Sequence, residues 1–151
     1  MLDQANVFPV RDEAALSKRL TQYWAKSGNA LVVATISSLE GKSIDDYALG
    51  LFNDWGIGDA KTNRGILVLL APNERKVRIE IGCGLEGVIS DSIAKQVIEN
   101  QMTPLYRQGQ FERGTIAGVD SLIAHLQSPA AANDNGPQTQ RCRVAAKAKA
   151  A

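Results

Sequence analysis

A polar, glycine-rich loop at residues 56–65 carries the side chains of this sequence that are best suited to chemistry. It presents Asp59, Asn63 and Arg64 among glycines and runs directly into the apolar segment 66–71. Glycine tolerates positive φ and lets a ligand approach the backbone closely. A polar loop held by a rigid buried strand is a common place for function, although a solvated connection with a glycine helix cap accounts for the same residues.

A second glycine-rich loop, at residues 82–91, is expected to lie beside the first. The segments 66–71 and 77–81 are predicted to form a hairpin, which brings the amino end of one strand next to the carboxyl end of the other. Asp59 and Asp91 are the candidate metal ligands, and calcium or magnesium is the expected ion because both prefer oxygen ligands. The candidate ligand-binding residues are Gly58, Asn63, Arg64, Gly65, Gly82 and Gly84. The helix start at Asp91 together with Arg64 would suit a phosphate instead.

The elements that must position these loops follow from the hydrophobic pattern. Helices are expected at 10–27, 43–55, 90–102 and 111–126, and strands at 30–36, 66–71 and 77–81. A strand–helix–strand unit forms a right-handed crossover between parallel strands, and the last two strands form an antiparallel pair. The sequence therefore predicts an α/β fold, a three-layer α/β/α sandwich around a small mixed sheet.

Two burial predictions follow from the same patterns. Strict alternation at 77–81 predicts that Val77, Ile79 and Ile81 are buried, with Arg78 and Glu80 exposed on a wet face of the sheet.

The helical periodicity makes the second burial prediction, which concerns the two tryptophans. Trp24 is expected on the buried stripe of the first helix and Trp55 on that of the second.

Length and composition indicate a single domain at residues 1–127, expected to be monomeric, followed by a disordered tail at 128–151. The tail holds Arg141, Arg143, Lys147 and Lys149 against Asp134 alone, so the body of the chain is slightly acidic. An acidic body argues against a nucleic-acid surface.

Cys83 and Cys142 are the only cysteines, and they have no metal-binding spacing. The single histidine, His125, is expected to be an ordinary helix residue.

The motifs taken together resemble the TPM domain family. They are the Trp-Gly-Ile-Gly stretch at 55–58, the runs 63–72 and 77–87, and Asp91. The resemblance covers residues 3 to 126 approximately and implies an α/β/α sandwich, divalent-metal binding, and a phosphatase activity in some members. Thylakoid acid phosphatases, photosystem II repair factors and acetylcholine-receptor modulators belong to this family. Its members commonly have an acidic residue or Asn where Arg64 stands, which makes this loop more positive here.

Two functions remain open at this point. The first is a binding or assembly module, with a divalent metal on the two loops and a protein partner at a membrane surface. The alternative is a metal-assisted phosphomonoesterase in which Asp59 and Asp91 hold the metal and Arg64 faces the phosphate. The sequence places no Ser or Cys nucleophile beside a base, which disfavours the enzyme. A purely structural role for the loops is the third interpretation.

The resemblance implies an extracytoplasmic, periplasmic or membrane-associated location. The sequence itself shows no apolar run of transmembrane length, and its first residues lack the basic and apolar regions of a signal peptide.

Overall fold

The computed structural model describes residues 1–57 and 63–127 of the 151-residue chain. The elements in chain order are β1 (Leu2–Asp3), α1 (Val10–Ser27), β2 (Ala30–Thr35), α2 (Ile44–Asp54), β3 (Gly65–Ala71), β4 (Lys76–Ile81), a 3₁₀ turn (Cys83–Leu85), α3 (Asp91–Val97), a π-helical segment (Ile98–Met102), α4 (Thr103–Arg107) and α5 (Phe111–Leu126). The predictions for Gly58, Asp59, Cys142 and the tail 128–151 fall outside the described residues.

The four strands form one mixed sheet in the order β1-β2-β3-β4. β1, β2 and β3 run parallel, and β4 returns antiparallel to β3 with Ile66 opposite Ile81. This confirms the predicted crossover and hairpin. The short strand β1 was not predicted as a strand, and it pairs only with Ala34 and Thr35 at the carboxyl end of β2. The amino half of β2 therefore has no strand beside it on that side within the described chain.

Helices cover both faces of the sheet and confirm the α/β/α layering. On one face α1, α3 and α5 bury a core that includes Leu31, Val68 and Leu122. On the other face α2 packs against a smaller core that includes Leu67 and Leu69. Every residue of β3 is buried, as its unbroken apolar run predicted.

Local sequence signals set the helix ends. Gly28 follows α1 with φ of 76°, the left-handed conformation that glycine adopts without strain. Ser43 caps α2 by accepting a hydrogen bond from the Asp46 N–H at 3.1 Å.

The third predicted helix extends beyond its expected end at residue 102. It passes through the π-helical segment into α4, and Pro104 lies in the first turn of α4. Proline is tolerated there because the first turn of a helix does not require its missing N–H.

The predicted wet face of β4 is wrong. Glu80 is 3% exposed, and Arg78 is only partly exposed. The reason is that α2 covers this face, so that charged side chains are enclosed between helix and strand. Arg78 contacts Glu80 Oε2 at 3.3 Å and Asp45 Oδ1 at 3.5 Å. The ion pair with Arg78 compensates part of the cost of burying the Glu80 carboxylate.

The predicted burial of the two tryptophans is also wrong. Trp24 is 57% exposed and Trp55 is 43% exposed. Trp24 lies in the last turn of α1 and Trp55 directly follows α2, so both extend past the amino end of the sheet rather than onto its faces.

Candidate functional site

The two glycine-rich loops meet at the amino end of β3, as the hairpin argument predicted. The Gly82 N–H donates to the carbonyl oxygen of Gly65 at 2.6 Å, and the Gly84 N–H donates to that of Asn63 at 2.9 Å. These two hydrogen bonds join residues that are about twenty positions apart in the chain.

The same contacts give two of the candidate ligand-binding glycines a structural role. A Cβ at residue 82 would collide with the Asn63 carbonyl oxygen and would lie 2.8 Å from that of Gly65. Only glycine allows these backbones to approach so closely. Because the Gly82 and Gly84 amides donate within the fold, they are engaged before any ligand arrives.

Arg64 connects the amino end of β3 to the carboxyl end of α1. Its Nε donates to Asn29 Oδ1 at 2.8 Å, and Asn29 Nδ2 donates to the Tyr23 hydroxyl oxygen at 3.2 Å. Asn29 is 4% exposed, so this contact orients the guanidinium from a buried anchor. The remaining guanidinium donors are those available to an anionic group. Asn29 and Tyr23 were missed by sequence reasoning because each lies in an ordinary helix-end context.

Asp91 lies at the first position of α3 and is exposed. Ser90 caps this helix by accepting a hydrogen bond from the Ile93 N–H at 3.2 Å. The Asp91 carboxylate is therefore not needed as the cap. Within the described ranges, no three His, Cys, Asp or Glu side chains come close enough to hold a metal ion. The predicted calcium site consequently depends on Asp59, which belongs to the undescribed segment 58–62.

Two clefts flank the amino half of β2, one on each side of its uncovered edge. The larger has a volume of about 910 Å³, and the smaller has a volume of about 240 Å³. The larger is lined by residues that include Trp24, Trp55, Ile57 and Arg64, and the smaller by residues that include Met1, Leu20, Trp24 and Leu31. Ala30 and Val32 of β2 line both. No sequence pattern predicts these clefts, since the exposure of the tryptophans depends on where the helices end.

The TPM domain matches residues 1–125 of this chain, which is most of its length. The chain belongs to the TPM domain family. The structure of this TPM domain is similar to the NMR structure of the N-terminal domain of a protein from P. gingivalis, with a TM-score of 0.78 and 27% identity over 92% of this chain and 86% of the other.

Two further solved structures share the fold of this TPM domain. The BA42 protein of Bizionia argentinensis has a TM-score of 0.67 and 19% identity, over 89% of this chain and 87% of that one. The N-terminal domain of cg2496 from Corynebacterium glutamicum has a TM-score of 0.64 and 15% identity, over 92% and 86%. Among curated proteins, none matches the chain.

Two other residues of this TPM domain with side chains suited to chemistry, His125 and Cys83, have a structural explanation. His125 Nδ1 lies 2.9 Å from the carbonyl oxygen of Ser121 in its own helix, and Cys83 is buried. In the part of the TPM domain that the structure describes, no helix is both long and apolar enough to cross a bilayer.

Proposed function

We propose that this TPM domain is a binding module that receives an extended segment of a partner protein along the amino half of β2. The observation that carries the proposal is the uncovered edge of β2 between the two clefts. Peptides commonly bind by adding a strand to an open sheet edge, where backbone hydrogen bonds supply affinity and pockets for alternate side chains supply specificity.

The backbone register supports this mode of binding. The Gln4 N–H donates to the Thr35 carbonyl at 3.0 Å, whereas the Ala30 N–H donates to Arg64 of the opposite neighbour at 2.9 Å. Odd-numbered residues of β2 therefore direct their backbone groups toward the β1 side. Since β1 begins at Leu2 opposite Ala34, Leu31 presents its N–H and C=O where an incoming strand would lie.

The two clefts determine the kind of segment that fits. Successive side chains of an extended peptide point to opposite faces of the sheet, so one enters each cleft. The smaller cleft, with Leu20 and Trp24, suits an apolar side chain. The larger cleft also contains Trp55 and the Arg64 guanidinium. Trp55 suits an apolar side chain of the peptide, and the guanidinium suits a carboxylate that follows it. Exposed tryptophan and arginine are the residues most enriched among energetic anchors of protein interfaces.

The metal and the membrane remain parts of the proposal that rest on the family resemblance. A calcium ion on loops 56–65 and 82–91 would stiffen the rim of the larger cleft beside Arg64. A partner at a membrane surface is the setting that the resemblance favours. The described loop contacts include backbone pairing and the Arg64–Asn29 anchor, which favour a binding role over a phosphomonoesterase.

Selection from a displayed library of random peptides tests the proposal. We expect enriched sequences to alternate apolar residues with one acidic residue and to bind the wild type as synthetic peptides. Trp24 and Trp55 are the only tryptophans in the sequence, so intrinsic fluorescence reports on the clefts of the wild type, and the anisotropy of a dye-labelled peptide measures affinity for the wild type and the variants alike. The double variant Trp24→Ala, Trp55→Ala should bind roughly tenfold more weakly or worse, the loss typical of interface tryptophans.

Leu49→Ala is the matched control, because Leu49 is another exposed large apolar residue, on α2. It should leave peptide affinity unchanged. Binding should also slow hydrogen exchange at the Leu31 amide, and N-methylation of the facing peptide amide should abolish binding. Peptides that bind the double variant as well as the wild type, or that leave Leu31 exchange unaltered, would contradict the proposal.

A further inference from the structure

A further cavity lies at the other end of the sheet, where β3 ends and β4 begins. Its volume is about 530 Å³, within the usual range for small-molecule sites. Its walls are the β3–β4 hairpin and the α4–α5 connection, and the residues that line it include Arg75, Lys76, Tyr106, Arg107 and Phe111. Residues 63–65 and 82–84 meet at the amino end of β3, so the cavity is separate from that site.

The rim of this cavity is cationic. Arg75 and Lys76 come from the hairpin and Arg107 from the end of α4, and all three are exposed. Across residues 1–57 and 63–127, no ion pair involves any of them. The described lining residues include no Asp or Glu. The nearby Glu74 is engaged elsewhere, since both of its carboxylate oxygens accept from the Leu39 N–H, at 2.9 and 3.1 Å.

The floor of the cavity is aromatic and held in place. The ring centroids of Tyr106 and Phe111 lie 5.7 Å apart. The Tyr106 hydroxyl is 2.8 Å from Thr115 Oγ1. Gly114 leaves room for the Tyr106 ring, because a Cβ there would lie 2.5 Å from Cε1. A fixed aromatic surface loses little entropy when a flat ligand packs on it.

We infer that this cavity binds a small organic anion whose phosphate-like or carboxylate group meets Arg75, Lys76 and Arg107 while an aromatic or apolar group packs on Tyr106 and Phe111. Three cations that form no ion pair within the described ranges attract an anion from solution, and arginine forms bidentate hydrogen bonds with phosphate and carboxylate oxygens. This cavity lies where β3 ends and β4 begins, away from the open edge of β2, so the proposal stands independently of the peptide-binding site.

Phenylphosphonate is a suitable probe because it combines a flat ring with a phosphorus oxyanion that a phosphatase does not hydrolyse. Titration into the ¹⁵N-labelled full chain should produce saturable amide shifts at residues 75–77 and 103–111. Benzyl alcohol, which keeps the ring and lacks the charge, should shift these amides far less. Arg107→Gln should weaken phenylphosphonate binding roughly tenfold, as expected when a charged hydrogen-bond donor is lost.

Lys26→Gln is the control variant. It removes one exposed positive charge near the carboxyl end of α1, at the opposite edge of the sheet, and should leave the affinity unchanged. The inference is overturned if the two charge variants lose affinity equally, if benzyl alcohol shifts the same amides as strongly, or if the shifts do not saturate. Both substituted side chains are exposed, so both variants are expected to fold.

Discussion

Gly82 donates its backbone N–H to the carbonyl oxygen of Gly65 at 2.6 Å, and this contact fixes the relative position of the two glycine-rich loops. Gly82 is buried, with φ of −67° and ψ of 151°, a conformation open to any residue. Glycine is required there by the space between the backbones rather than by the backbone dihedrals. The hydrogen bond therefore depends on the absence of a side chain.

We expect Gly82→Ala to lower the free energy of unfolding by roughly 1–3 kcal/mol, the usual cost of overpacking. The new Cβ would meet the backbone oxygens of Asn63 and Gly65, which cannot rotate away as a side chain can. Gly50→Ala is the matched control, because a Cβ at this exposed position of α2 meets nothing within 4 Å. It should stabilise the domain by about 0.5–1 kcal/mol through helix propensity. Urea denaturation measures both, and equal effects would contradict the packing argument.

Arg78→Ala should destabilise the domain by roughly 1–3 kcal/mol, because a buried carboxylate loses a charged hydrogen-bond partner. Glu80 is 3% exposed and lies 3.3 Å from the Arg78 guanidinium. Lys95→Ala serves as the control, since it breaks an exposed pair with Glu99 at 3.9 Å and should change stability by less than about 0.5 kcal/mol. Chemical denaturation compares the two variants. If Arg78→Ala leaves the free energy of unfolding unchanged, burial of Glu80 does not depend on this arginine.

The Arg78–Glu80 pair also shows where sequence reasoning about the fold reaches its limit. Alternation at 77–81 predicted the strand and the buried face of Ile79 correctly, because residues of one face share one environment. It did not predict that α2 covers the other face. Alternating charges usually mark solvent, and nothing within a single strand indicates a helix that packs over charged side chains.

The candidate site was likewise predictable from the sequence only in part. The convergence of residues 63–65 with 82–84 was predictable from the hairpin, since topology alone brings those chain ends together. The Arg64–Asn29 contact and the exposure of Trp24 and Trp55 were not predictable. They depend on the lengths of α1 and α2 relative to the sheet, which periodicity fixes only to within a few residues.

Tyr106 should make stability fall at high pH. Burial raises the pKa of the Tyr106 hydroxyl above its ordinary value near 10, and the hydrogen bond with Thr115 offsets only part of that effect. The stabilising contribution of the protonated phenol is complete below about pH 10, the unfolded pKa, and is lost as the pH rises above it.

Tyr106→Phe tests this dependence. At neutral pH it should cost about 1 kcal/mol, the value of one hydrogen bond. The free energies of unfolding of wild type and variant should converge above pH 10, because only the wild type must keep a buried phenol protonated. Urea denaturation at neutral pH and above pH 10 measures the difference. A difference in the free energy of unfolding that stays the same at both pH values would contradict the raised pKa of Tyr106.

A calcium titration tests the predicted metal site. If Asp59 and Asp91 share an ion, calcium should shift amides of both loops, 56–65 and 82–91, at the same concentration. The hydrogen bonds between Asn63 and Gly84 and between Gly65 and Gly82 place residues 63–65 beside 82–84, which is why a single ion is expected to affect both loops. Affinity should be modest because the Arg64 cation lies on the same edge. ¹⁵N-resolved shifts in the wild type give the affinity and its location.

Asp91→Asn separates ligation from helix capping. Ser90 Oγ already accepts from the Ile93 N–H, so Asp91→Asn leaves the cap of α3 intact while removing a carboxylate. It should weaken calcium binding strongly and leave stability nearly unchanged. Ser90→Ala should do the opposite, lowering stability by about 1 kcal/mol through loss of the cap and retaining the calcium response. Shifts confined to one loop, or an unaltered response in Asp91→Asn, would rule out the shared site and leave Asp91 as a surface charge at a helix start.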